Sequence, residues 1–221
     1  MYKTLLTLVL IFTTATAYAD LAGRYRLPGN NTLEVYYKDD KTLRADIAPH
    51  GYLLLNGDQM FMVMEKAGMR MAMDLEQMGS MVSTLRNQAL APDQKAADLV
   101  PEIQDTGRQE TVAGYEGQVH QVKVGNNRSE VVLTKDPQVT KITKGFITAA
   151  VRLGQVLSAE DREAAAAAIE QLEQSGYGGL LKQAGGVQLE AIRTQDRPDS
   201  FYRLPPNTPL VQLPMFKQPA Q

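Results

Sequence analysis

From Gly23 to about Asp74 the chain reads as strands and tight turns, and from Thr32 to Ile47 apolar and polar residues alternate with a period of two. Successive side chains of a strand point to opposite faces, so this periodicity commits the region to half-buried strands. "TLEVYYKDDKTLRADIA" sets Leu33, Val35 and Tyr37, then Leu43, Ala45 and Ile47, against polar partners. Directly opposed residues share a face, so both apolar sets lie together only across a loop of odd length. Three or five loop residues are therefore expected around Asp39 and Asp40.

The next run, "GYLLLNGDQMFMVM", has Asn56-Gly57 between apolar residues, a hairpin signal because both central positions of the favoured turn need positive φ. Pairing about that dipeptide opposes Leu53 to Met60 and Tyr52 to Phe61. Leu53, Met60, Met62 and Met64 then fall on one face, and Tyr52, Leu54, Phe61 and Val63 on the other. A hairpin that is apolar on both faces needs cover on both, unlike a sheet with one wet side.

Methionine is concentrated here: eight of the ten in the chain lie between Asp58 and Met81. Two or four loop residues in "EKAG" would oppose Met64 to Met69, Met62 to Met71 and Met60 to Met73, putting six thioethers on one face. A three-residue loop with Gly68 left-handed would split them. The parity is open, with the even case favoured. Beyond Asp74 the period changes, and Met78, Met81, Val82 and Leu85 form one stripe of a short helix. Residues 87 to 107, rich in Ala, Asp, Gln and Pro, read as a loop.

The second half repeats the plan. "QETVAGYEGQVHQVKVG" and "RSEVVLTKD" read as two or three strands turning at Gly114 and at Gly125-Asn126. Asp136-Pro137 supplies an N-cap and a first-turn proline. Val139, Ile142, Phe146, Ala149 and Leu153 form the stripe of a helix that Gly154 ends. Ser158 and Asp161 approximate a capping box for a second helix over 159 to 175, stopped at Gly176. "VQLEAIRTQ" and "SFYRLP" read as closing strands, with a Pro-rich extended tail from about Pro205. The reading is α+β: an antiparallel sheet of about eight to ten strands with two or three helices covering one face.

The N-terminus addresses the chain. Lys3 precedes an apolar stretch ending Ala17-Tyr18-Ala19, a signal peptide with cleavage expected after Ala19. The stretch is short for a membrane anchor, which needs ~20 apolar residues. Residues 20 to 221 then form a single soluble periplasmic domain. The chain has no cysteine, hence no lipid-accepting thiol, disulfide, thiolate site or cysteine nucleophile. With 23 basic and 25 acidic residues, it has no net attraction for nucleic acid or anionic membrane.

No motif names a reaction. His50 and His120 are the only histidines, and no nucleophile elbow, HExxH or phosphate-cradling loop occurs. The expectation is a protein that is not an enzyme and needs no cofactor. Three readings compete for the methionines. Flexible, polarisable thioethers conform to varied apolar partners, so Leu53, Met60, Met62, Met64, Met69, Met71, Met73, Met78 and Met81 could line a surface for a lipid acyl chain, an apolar small molecule or an exported protein's apolar segment. Thioether is also a soft ligand, and Met62, Met64, Met69 and Met71 could hold Cu(I). Or the face is ordinary core beneath the helices.

"YLLLNGDQMFMVM", "AGYEGQVHQV" and "EVVLTKD" resemble an exported bacterial family near the periplasmic lipoprotein-carrier (LolA/LolB-like) fold, over most of 23 to 135. The resemblance implies a curved antiparallel half-barrel whose helix-lidded concave face holds acyl chains, and it supplies no catalytic residues. The combined expectation is a carrier or chaperone-like protein with a methionine-lined groove, with periplasmic Cu(I) binding or a ligand-free protein-interaction module as the alternatives.

Overall fold

The structure is a computed structural model and describes residues 19–66, 68–75, 102–124, 127–157, 170 and 176–211. Eleven strands form one sheet: β1 Leu21–Arg26, β2 Thr32–Asp39, β3 Thr42–Ala48, β4 Gly51–Asn56, β5 Gln59–Lys66, β6 Met69–Asp74, β7 Glu102–Val112, β8 Tyr115–Val124, β9 Asn127–Thr134, β10 Gly179–Gln183 and β11 Gln188–Thr194. Their order is β6-β5-β4-β3-β2-β1-β11-β10-β9-β8-β7, and every neighbouring pair is antiparallel. Each strand thus neighbours the next in sequence except β6 and β7, which stand at opposite margins, and the two runs meet where β1 pairs with β11. The helix α1, Pro137–Leu157, leaves β9 and returns the chain to β10 beside it.

This architecture corrects the family resemblance and its implied fold. The ladder is open, ending at β6 on one side and β7 on the other, and the expected LolA-like half-barrel is not what forms. The strand count exceeds the eight to ten expected. α1 is the one long helix among the described residues, where two or three were expected. The stripe at Met78 to Leu85 and most of the helix expected over 159 to 175 lie outside those residues.

The apolar phase of β2 and β3 is as expected, with Leu33 opposite Ile47, Val35 opposite Ala45 and Tyr37 opposite Leu43. The turn is nevertheless the two residues Asp40 and Lys41. A register shift between Tyr37 and Asp39 supplies the odd residue, so a bulge does the work assigned to a longer loop. At the next hairpin Asn56 opposes Gln59, so the turn centres on Gly57 and Asp58, one residue later than expected. Leu53 therefore faces Met62, and Leu55 faces Met60. A register moved by two leaves every side chain on its expected face.

α1 begins as its sequence dictates. The Asp136 carboxylate accepts from the amides of Gln138 (2.9 Å) and Val139 (3.1 Å), satisfying two donors that the first turn leaves free. Val139, Ile142 and Ala149 are buried on the sheet, but Phe146 is 40% exposed. Gly145 takes the facing position instead, because a Cβ there would collide with the Tyr37 and Leu43 side chains; a Cβ on Gly23 would meet Ile142. Two glycines on opposite partners thus let the helix lie close to β1, β2 and β3. The helix also runs through Gly154 to Leu157, since an interior glycine costs only about 1 kcal/mol.

Gly176, read as a helix stop, holds φ at +68° in a turn shortly before β10. Two further expectations change. Residues 102 to 107, read as loop, are the start of β7. "SFYRLP" is not a strand: Asp199–Tyr202 is a 3-10 turn flanked by Pro198 and Pro205.

The sheet has a core on each face. Toward α1 lie Leu33, Val35, Leu43, Leu53, Leu55, Met60, Val119, Val132, Leu181 and Leu189. On the other face Tyr52, Leu54, Phe61, Val63 and Ala72 form a second cluster against Leu204, and Tyr36 packs with Tyr202 and Phe201. The two-faced hairpin therefore has its second cover, and the C-terminal segment supplies it.

Candidate functional site

The two-residue connection between β5 and β6 decides the methionine geometry. Lys66 opposes Met69, Met64 opposes Met71, and Met62 opposes Met73. The parity is even, so Met60, Met62, Met64, Met69, Met71 and Met73 share the face of the sheet that carries α1. The pairing is shifted from the expected one by two residues: Met62 meets Met73, not Met71, and Met64 meets Met71, not Met69.

These positions are not equivalent. Met60 is buried beside Leu55, and Met62 and Met73 pack at the margin of the main core. Met64 is half-buried, Met71 is 38% exposed and Met69 is 66% exposed. The gradient runs from the hairpin end near Leu55 toward the turn at Gly68. Leu53 lies inside the core opposite Met62. Met78 and Met81 lie outside the described residues.

Opposed Cβ atoms in an antiparallel pair stand ~5 Å apart, and alternate residues along a strand ~6.6 Å apart. Met62, Met64, Met71 and Met73 therefore occupy the corners of a small rectangle. Each carries a side chain with three rotatable bonds and a polarisable sulfur. Of the Cu(I) set expected from sequence, Met62, Met64, Met69 and Met71, the register brings Met64 opposite Met71, sets Met73 opposite Met62, and sets Met69 opposite Lys66. On the opposite face of the same strands, Arg70 and Glu65 form an ion pair at 3.4 Å.

Among the described residues no groove able to hold a lipid or other apolar guest is found. The methionines stand toward the margin of an open sheet, from buried Met60 to exposed Met69, without a defined cavity among the described residues. The carrier expectation, which required a lidded half-barrel, is corrected on that ground.

The histidines sit apart from the methionines. His50 is exposed in the turn before β4. His120, on β8, is buried against the Tyr177 ring at 5.0 Å between centroids, and its Nε2 has no hydrogen-bond partner among the described residues. No group of three His, Asp or Glu residues among the described residues could hold a metal ion.

The feature that sequence reading missed is the segment from Asp199 to Val211. Its Tyr202 is buried and donates its hydroxyl to the Asp20 carboxylate at 2.7 Å, and Asn56 donates to the Tyr202 carbonyl at 3.2 Å. The Phe201 ring lies between two guanidinium groups, Arg44 at 4.3 Å and Arg197 at 4.8 Å. Arg44 also stacks on Tyr52 at 3.8 Å while pairing with Asp46. Farther on, the Ala72 amide donates to the Pro209 carbonyl (2.9 Å), and the Val211 amide donates to the Ala72 carbonyl (2.8 Å), a parallel bridge on the outer edge of β6. Of the tail expected from about Pro205, the described part turns at Pro206-Asn207 and then lies along β6, and residues 212 to 221 lie outside the described residues. The aromatic pair Phe201-Tyr202 amid prolines was the available signal.

No helix among the described residues is long and apolar enough to cross a membrane. No protein-family model matches the chain, and no curated protein matches it.

Proposed function

We propose that this is an exported, non-catalytic protein that holds a soft monovalent ion, Cu(I), on the methionine rectangle of β5 and β6. The observation that carries the reading is the pair of cross-strand contacts Met62–Met73 and Met64–Met71 on one face, with Met71 open to solvent. Thioether sulfur is a soft donor that suits Cu(I) over the hard cations. It has no proton to lose, so such a site takes up metal equally well across mildly acidic and neutral pH, unlike thiolate, imidazole or carboxylate ligands. The signal peptide ending at Ala19 supports a periplasmic location for the processed chain. The lack of a nucleophile, base or phosphate motif in the sequence supports a binding role over an enzymatic one.

The test is competition between the processed protein and a chromogenic Cu(I) chelator under ascorbate, with Ag(I) as a redox-inert second probe. Stoichiometric uptake that holds from pH 5.5 to 7.5, and is lost in Met64→Leu/Met71→Leu, is the expected result. Leu for Met conserves volume and costs less than about 1.5 kcal/mol, so the variant should fold. Failure of the native chain to compete for either ion ends the reading.

A further inference from the structure

We propose that the C-terminal strap, Asp199 to Val211, positions the methionine site through Ala72, so that metal binding and strap docking reinforce each other. This rests on the Cu(I) reading above and adds a coupled element to it. Ala72 is flanked by Met71 and Met73, the two β6 corners of the rectangle. Its backbone makes two hydrogen bonds with the strap tip: it donates to Pro209 and accepts from Val211. Its side chain is fully buried on the opposite face, in the cluster that Leu204 of the strap covers.

The chemistry of an edge strand makes that contact consequential. β6 pairs with β5 on one side only, and edge strands open locally at low free energy. Metal binding requires β6 to stay in register with β5, because a slip of one residue moves its methionines to the other face. Two hydrogen bonds on the free side of Ala72 make β6 locally an interior strand, at the residue between two of the ligands.

The strap is built in two parts. Residues 199 to 204 are firmly anchored, by Tyr202 on Asp20 and by Phe201 between Arg44 and Arg197. The tip is held lightly: Leu210 is 48% exposed, and Pro205, Pro206 and Pro209 have no N–H with which to extend the ladder. The tip can therefore leave β6 while the anchor keeps it at hand. By linkage, whatever docking of the tip contributes to metal affinity, metal contributes equally to docking.

The experiment uses the full processed chain and Val211→Pro, which removes the one amide donating to Ala72. Loss of a hydrogen bond worth ~1 kcal/mol corresponds to about a fivefold weaker grip on Ag(I) or Cu(I). In the native chain, saturating Ag(I) should slow hydrogen exchange of the Ala72 and Val211 amides by a similar factor. This second readout needs no variant and would not move if the strap were merely structural. Metal uptake with unchanged affinity in Val211→Pro, and unchanged exchange, overturns the coupling while leaving the metal site standing. No uptake by the native chain overturns both.

Discussion

Tyr25, Tyr37 and Tyr202 each hold a hydroxyl where ionisation is opposed. Burial pushes Tyr25 up to about 12, tempered by its hydrogen bond to Thr143. Burial also raises Tyr202, reinforced by the hydrogen bond and negative charge of Asp20, and Tyr37, reinforced by Asp40. An unfolded tyrosine ionises near 10. Between pH 10 and 12 the unfolded chain therefore sheds a proton that the folded chain keeps, and stability falls as pH rises through that window while it is whole below it. Denaturant unfolding at pH 9 and pH 11 should show a loss of about 1 kcal/mol from Tyr25, absent in Tyr25→Phe. A profile that is equally steep in both proteins would contradict this assignment. The Tyr25 and Tyr202 hydroxyls could not be singled out from sequence, because Thr143 and Asp20 reach them from far along the chain, whereas Tyr37 has its partner Asp40 three residues away. Gly51 is a similar case. It holds φ at +131°, and an added Cβ would fall on the Val63 carbonyl, yet only the hairpin register brings that carbonyl there.

Elements were more legible where their signals are local. Asp136-Pro137 opens α1 as read, because a cap and its amides lie within three residues of each other. Asp136→Ala should lower stability by about 1 kcal/mol, visible as a lower Tm, while Asp136→Asn should recover most of it; equal losses in both would show that charge, not capping, matters. The stop at Gly154 was misread, since a glycine ends a helix only when the chain turns left-handed there. The β4–β5 turn was displaced by one residue for a related reason. Asn56-Gly57 and Gly57-Asp58 are both acceptable turn pairs, and the choice between them follows from which strand register packs best. "SFYRLP" alternates like a strand but folds around a 3-10 turn on the sheet face, with the Phe201 ring against Arg44 and Arg197.

The molecule as a whole is an open sheet and so has two margins to protect. β6 is covered in part by the strap. β7 runs eleven residues along the other margin, bearing Glu102, Asp105, Arg108 and Glu110, with a register break between Asp105 and Gln109. Charges and irregular pairing are the usual means by which an edge avoids recruiting another chain. Arg108 is also tied across to Glu130, and Glu102 to Lys123. Replacing Glu102 and Arg108 together by Val should promote self-association, seen as rising light scattering at raised concentration with little change in the monomer's far-UV spectrum. A variant that stays monomeric would show that these charges are not what guards the margin.

Alternation, turn residues and a cap depend on neighbours a few positions away, and so the sequence alone specified strands over most of 23 to 74 and 109 to 134, the start of α1, and the alternation of methionines along β5 and along β6, while leaving open whether the two sets share a face. Register, strand order and the partner of each exposed face depend on contacts among residues far apart in the chain. The tertiary structure alone decided that the sheet stays open, that Met62 meets Met73, and that the last described residues return to cap β6. The physical reason is that a slip of two residues conserves every local preference, so only packing over the whole sheet can choose among the alternatives.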